Sequence, residues 1–200
     1  MNAPIDVTNI YIETRRLILR PWKETDLEDL YEYASVPGVG EMAGWCHHES
    51  MDESARILRM FIEENKTLAI VFRKTGKVIG SLGFEKVKET PGLPGELLGR
   101  ELGYVLSKEY WGRELMPEAV RAVISFCFNE LDYDYLMCAH FLNNNQSRRV
   151  IEKAGFTFLT EVKSETRYGT VEDTMLYYLI NPHKFINASD HEKIIGGQHV

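Results

Sequence analysis

Apolar positions recur along the chain with periods of about two and about 3.6 residues, and the switches between them mark out strands and helices. Residues 16–22, RLILRPW, predict a strand closed by Pro21. Thr25 and Glu28 then read as a capping box for a first helix, with Leu27, Leu30, Tyr31 and Ala34 at helical spacing and Pro37-Gly38 as the stop. Ser50 and Glu53 offer a second box, ahead of a helix over residues 52–65 that carries Ile57, Leu58, Phe61 and Ile62. β-formers fill residues 68–73 and 78–87 on either side of Lys74-Thr75-Gly76-Lys77, a hairpin turn. Pro91, Gly92, Pro94 and Gly95 make residues 88–99 a surface loop before a strand over 100–106. Pro117 suits the first position of a third helix, Glu118 favours its positive end, and the run from Ala119 to Leu131 gives it a broad apolar face. A buried strand over 135–141 precedes a short helix over 147–154 that Gly155 ends. Strands over 156–162 and 171–180, joined near Tyr168-Gly169, complete the pattern.

Two hairpins combined with strand-helix-strand units imply a mixed α/β (α+β) sheet rather than an all-parallel, doubly wound one. The expectation is about seven strands in a mostly antiparallel central sheet, flanked by about four helices. The chain divides into an N-terminal extension over residues 1–10, a single domain over 11–186, and a flexible polar tail over 187–200.

Composition narrows the function classes. With 44% hydrophobic, 26% charged and 11% aromatic residues in 200, the chain is ordinary globular material, not disordered, collagen-like or a disulfide scaffold. Its 30 acidic and 23 basic side chains leave a net charge of −7, which disfavours nucleic acid and anionic membrane as partners. Cys46, Cys127 and Cys138 lie far apart without CxxC spacing, so no disulfide and no zinc site is expected. His47 and His48 are adjacent on a loop and do not by themselves make a metal site. Without a signal-like start or an apolar run long enough to span a bilayer, a cytoplasmic location is expected.

The chemistry concentrates in residues 100–120, where a strand, a glycine turn and a helix opening near a proline follow in order. Such a junction aims backbone N–H groups and a positive helix end at one point, which suits a phosphate or diphosphate. A plain tight connection at Gly112 is the alternative. The architecture then recurs one unit later, in Asn144-Asn145-Gln146-Ser147 followed by Val150 and Glu152-Lys153-Ala154-Gly155-Phe156.

The segments ELGYVL, YWGRELMPEA, NNQS and VIEKAGF together resemble the GNAT superfamily of acyl-CoA N-acyltransferases, and TRRLILRPWKETDLEDLY resembles the opening of its ribosomal-protein-alanine N-acetyltransferase-like branch. The resemblance implies a Q/R-x-x-G-x-G/A turn at residues 109–114, cradling a coenzyme diphosphate. Only Gly112 matches; Glu109 and Glu114 depart from the pattern, and Glu114 brings an anion to an anion site with Arg113 beside it to offset the charge. It implies coenzyme contacts along Trp111, Gly112, Arg113, Glu114, Leu115 and Met116, and pairing of the pantetheine arm with the backbone of Tyr104, Val105 and Leu106. Asn144 matches the asparagine that holds that arm, and Ser147 a hydroxyl that approaches the thioester sulfur; both are also helix-capping types. Glu101 takes the place of the catalytic base, with a solvated strand-end carboxylate as the plain alternative. Many members carry a tyrosine where this chain has Ile151. Trp45 and His47 lie on the loop that joins the helices of the acceptor wall, which makes them candidate substrate contacts, whereas Cys138 reads as a buried thiol.

The implied activity is direct acetyl transfer from acetyl-CoA to a primary amine without a metal, with a protein N-terminal α-amino group as one acceptor and a small-molecule amine as another. A homodimer stays open as the assembly. The competing class is a non-catalytic acyl-CoA-binding module, to which Glu109, Glu114 and Ile151 lend support.

Overall fold

A computed structural model describes residues 1–88 and 96–184. Most of the expected loop over 88–99 and all of the expected tail over 187–200 lie outside the described residues. Eight strands form one sheet: β1 Ile12–Glu13, β2 Leu17–Pro21, β3 Thr67–Phe72, β4 Val78–Glu85, β5 Gly99–Leu106, β6 Tyr135–Phe141, β7 Thr157–Glu165 and β8 Val171–Ile180, in the order β1-β2-β3-β4-β5-β6-β8-β7. The two-residue β1 accounts for the one strand beyond the seven expected. Every neighbouring pair is antiparallel except β5 with β6.

Four α-helices cover the sheet: α1 Leu27–Ala34, α2 Met51–Glu64, α3 Leu115–Asn129 and α4 Asn145–Lys153. Strand alternation sends Ala69, Val71 and Val78 to one face, where they meet Leu30 and Tyr33 of α1 and Leu58 of α2. Leu17, Leu19, Leu68, Ile70 and Leu102 go to the other face, against Met116, Ala119, Val120 and Val123 of α3 and Ile151 of α4. The first ten residues join this second core: Ala3, Val7 and Ile10 are buried in it, Arg100 Nε donates to the Ala3 carbonyl at 2.6 Å, and the Tyr133 hydroxyl donates to the Pro4 carbonyl at 2.7 Å.

Three helix starts differ from expectation, and α4 begins at Asn145 rather than at Ser147. A 3-10 turn at Glu24–Asp26 precedes α1, and the Lys23 amide is taken by the Asp26 carboxylate at 2.8 Å, with no Thr25 capping box. Asp26 is drawn there because the buried Arg20 guanidinium needs an anion, and it grips both Asp26 oxygens at 2.7 and 2.8 Å. Helix α3 starts at Leu115, two residues before Pro117, which the first turn accommodates because those amides have no intrahelical acceptor. Ser50 caps α2 as expected, accepting from the Glu53 amide at 3.2 Å.

Candidate active site

The parallel pairing of β5 with β6 places the site. Strands β5 and β6 pair only between Gly99–Leu102 of one and Tyr135–Cys138 of the other. Past Leu102 they are no longer hydrogen-bonded to each other, while β4 still holds the far side of β5 out to Leu106. A cleft of about 790 Å³ opens there, lined by Gly103 to Leu106 of β5 and by Ala139, His140 and Phe141 of β6. On this side the β5 backbone offers groups that no strand takes up, apart from the Leu106 carbonyl, which accepts from Trp111 Nε1 at 2.8 Å.

At one end the cleft meets the start of α3. Trp111, Gly112, Glu114, Leu115 and Met116 line it, whereas Arg113 does not and instead stacks its guanidinium over Tyr110 at 5.1 Å. Gly112 has φ +72°, and Glu114 has φ +58° with its side chain paired to Lys153, also a lining residue. Lys153 is thus the cation that offsets Glu114, a role the sequence suggested for Arg113. The left-handed conformation at Glu114 is one that a glycine adopts without steric cost. Arg16 fixes the turn from below, donating to the Arg113 carbonyl at 2.9 Å, the Glu114 carbonyl at 3.0 Å and Glu118 Oε2 at 2.7 Å. Glu109 is exposed and does not line the cleft.

At the other end Glu101 lies in the cleft wall, directly across from Glu85 of β4. Burial first, and the Glu85 charge second, push its carboxyl up to about 7, with Lys88 pulling the other way. Glu85 itself is paired to Lys66 Nζ at 3.0 Å. Between the two ends the Tyr104 hydroxyl sits 2.9 Å from Ser147 Oγ. Asn144 lines the cleft but has its side chain engaged, Oδ1 accepting from the Ser147 amide and Nδ2 donating to the Met42 carbonyl, each at 3.0 Å. It therefore ties α4 to the loop between α1 and α2. Ile151 is fully buried in the core and does not line the cleft. The Cys138 thiol is likewise buried, donates to the Leu102 carbonyl at 3.3 Å, and is pushed up by burial first and by Glu101 second.

The loop between α1 and α2 reaches the cleft through Met42, Ala43 and Gly44, and neither Trp45 nor His47 lines it. Trp45 folds back onto Gly40, where an added Cβ would lie 2.3 Å from the indole ring, so glycine is required for the loop to close. His47 pairs with Glu41 at 2.7 Å. Against the upward push of burial, hydrogen bonds from the His47 side chain and from the His47 and Gly38 amides hold the Glu41 carboxyl at about 2. Sequence reasoning missed Glu85, Lys153 and His140; the last lines the cleft and donates from Nδ1 to the Phe141 carbonyl at 2.8 Å. Cross-strand register alone brings Glu85 to Glu101, and the sequence pattern does not specify register. Among the described residues, no three His, Cys, Asp or Glu side chains gather as metal ligands, and no helix is long and apolar enough to cross a membrane.

Residues 16–157 match the family profile described as an acetyltransferase (GNAT) domain. The chain belongs to the GNAT acetyltransferase family. It is 27% identical to the uncharacterized N-acetyltransferase YoaA of Bacillus subtilis, over 86% of this chain and 97% of YoaA. In fold it is similar to a GNAT-family acetyltransferase from Bacillus anthracis, with a TM-score of 0.75 at 20% identity, covering 86% of this chain and 99% of that one. It is also similar to the ribosomal-protein-S5-alanine acetyltransferase from Vibrio fischeri, with a TM-score of 0.67 at 23% identity, covering 86% and 97%.

As a GNAT acetyltransferase it takes its acyl group from acetyl-CoA. The cleft fits that donor on its own chemistry, with helix-start amides for an anion at one end and open strand backbone for an amide-bearing arm beside them.

Proposed function

We propose that this GNAT acetyltransferase moves an acetyl group directly to a primary amine, with a protein N-terminal α-amino group as the acceptor. The observation that carries the reading is Glu101, half-buried in the cleft wall opposite Glu85 with its carboxyl raised to about 7. A base of that strength can take the proton of an incoming ammonium near neutral pH. The V. fischeri neighbour, whose named substrate is a ribosomal-protein alanine, favours a protein amine over a free one.

The amides of Gly112, Arg113, Glu114, Leu115 and Met116 hold the coenzyme diphosphate, and the backbone of Tyr104, Val105 and Leu106 orients the arm. Acetyl-CoA supplies an activated thioester. Glu101 accepts the amine proton, the Ser147 hydroxyl donates a hydrogen bond to the sulfur, and the fixed cleft walls hold nucleophile and carbonyl together. Direct transfer is supported by the cleft lining, which includes no cysteine among the described residues. The enzyme acts in the cytoplasm.

An acceptor panel tests this reading: ribosomal-protein N-terminal peptides, the same peptides with blocked N-termini, lysine, polyamines and aminoglycosides, each with acetyl-CoA and thiol release as readout. Release with free peptide N-termini, lost on blocking, is expected. Release with a small amine alone would reassign the acceptor, and no release with any amine, despite coenzyme binding, would make the chain a coenzyme-binding module.

A further inference from the structure

The Tyr104 hydroxyl, on β5, lies 2.9 Å from Ser147 Oγ and 3.3 Å from the Ser147 carbonyl oxygen on α4. Both residues line the cleft. The carbonyl can only accept, while in the 2.9 Å contact either hydroxyl can be the donor, and the phenol also meets the Cys138 thiol. A serine hydroxyl that accepts one hydrogen bond keeps its own hydrogen for another partner. Ser147 is in turn held through its amide, which donates to Asn144 Oδ1 at 3.0 Å. Ile151, one turn further along α4, is buried in the core and brings no polar group to the cleft, so the phenol that meets α4 here comes from β5.

We propose that Tyr104 is a positioning residue that donates to Ser147 Oγ and thereby directs the Ser147 hydrogen at the departing coenzyme sulfur. The inference rests on the role of Ser147 given above. As the N–C bond forms and the C–S bond breaks, the electron pair of the broken bond goes to sulfur and the amine proton goes to Glu101. The Ser147 hydrogen bond stabilises the sulfur anion without being transferred. Tyr104 keeps its proton throughout; burial first, and Cys138 second, hold its phenol well above the usual range.

The test compares wild type, Tyr104→Phe, Ser147→Ala and the double variant. Readouts are kcat, KM for acetyl-CoA, and the titration of the bound CoA thiol, followed by ultraviolet thiolate absorbance. Tyr104→Phe retains the ring and is expected to lower kcat about tenfold with KM for acetyl-CoA unchanged, and to move the bound thiol titration to higher pH. Ser147→Ala is expected to do the same, and the double variant to be no worse than Ser147→Ala, because the two hydroxyls act as one unit. Wild-type kcat and thiol titration in Tyr104→Phe, with Ser147→Ala impaired, would overturn the inference and leave the role of Ser147 standing. Losses that multiply in the double variant would also overturn it. Full activity in Ser147→Ala would remove the role of Ser147 and the inference with it.

Discussion

Glu85 and Glu101 stand directly opposite each other on β4 and β5, and Glu85 carries an ion pair to Lys66 at 3.0 Å while Glu101 is raised to about 7 in the cleft wall. Like charges on directly paired strand positions disfavour ionising both, and burial adds to that cost at Glu101. The more buried carboxyl therefore becomes the proton acceptor.

Replacing Glu85 by Gln removes the neighbouring charge. The acid limb of the kcat/KM profile is expected to move to lower pH by on the order of half a unit, since burial, the larger cause, remains. A profile measured across pH 5 to 9, a range of about four units, checks it, and a limb that stays in place would leave Glu85 without influence on the base.

Glu114→Gly is expected to tighten coenzyme binding several-fold. The substitution frees Lys153 to meet an anion and removes the steric cost of a left-handed glutamate. Lys153→Ala is expected to weaken binding, and the double variant to lose the gain. Calorimetric titration with CoA at two salt concentrations reads all three, with the gain of Glu114→Gly shrinking at high salt.

Glu118 links the β1–β2 turn to the first turns of α3. It accepts from Thr14 Oγ1 at 2.6 Å, the Arg16 amide at 2.8 Å and Arg16 Nε at 2.7 Å. Burial pushes its carboxyl up, but those hydrogen bonds together hold it below its ordinary value of 4.5. A depressed carboxyl stabilises the fold above its unfolded-state value and ceases to do so as pH falls through its folded-state value. Glu118→Gln is accordingly expected to cost about 2 kcal/mol near pH 7, with the deficit shrinking below 4.5, as urea unfolding at several pH values would reveal.

Deleting residues 1–10 exposes core that Ala3, Val7 and Ile10 cover and strips Arg100 of the Ala3 carbonyl. A loss of about 3 kcal/mol or more in unfolding free energy is expected from the two branched side chains alone. An unchanged denaturation midpoint would make these residues a dispensable extension.

Much of the fold is legible from local pattern. Strand β6 falls on the residues expected as a buried strand, and the Gly112 turn and Gly155 stop both take the positive φ that their residue type suggests. What escaped depends on contacts between distant segments. Thr25-Glu28 has the form of a capping box, yet the need of buried Arg20 for Asp26 decides how α1 begins. Trp45 and His47 look like substrate contacts on an aromatic loop, but Trp45 is spent on Gly40 and His47 on Glu41, so the loop offers Met42 to Gly44 instead. Asn144 reads as either a cap or a coenzyme contact; it caps, and its spare N–H₂ reaches Met42.

The most direct measurement is the pH dependence of kcat/KM for the acceptor amine in wild type and Glu101→Gln, with CoA affinity determined in parallel. Wild type is expected to rise with pH through about 7, and Glu101→Gln to lose that limb and run about 100-fold slower or more with CoA affinity unchanged. An intact limb in Glu101→Gln, or equal losses of turnover and CoA binding, would contradict Glu101 as the base.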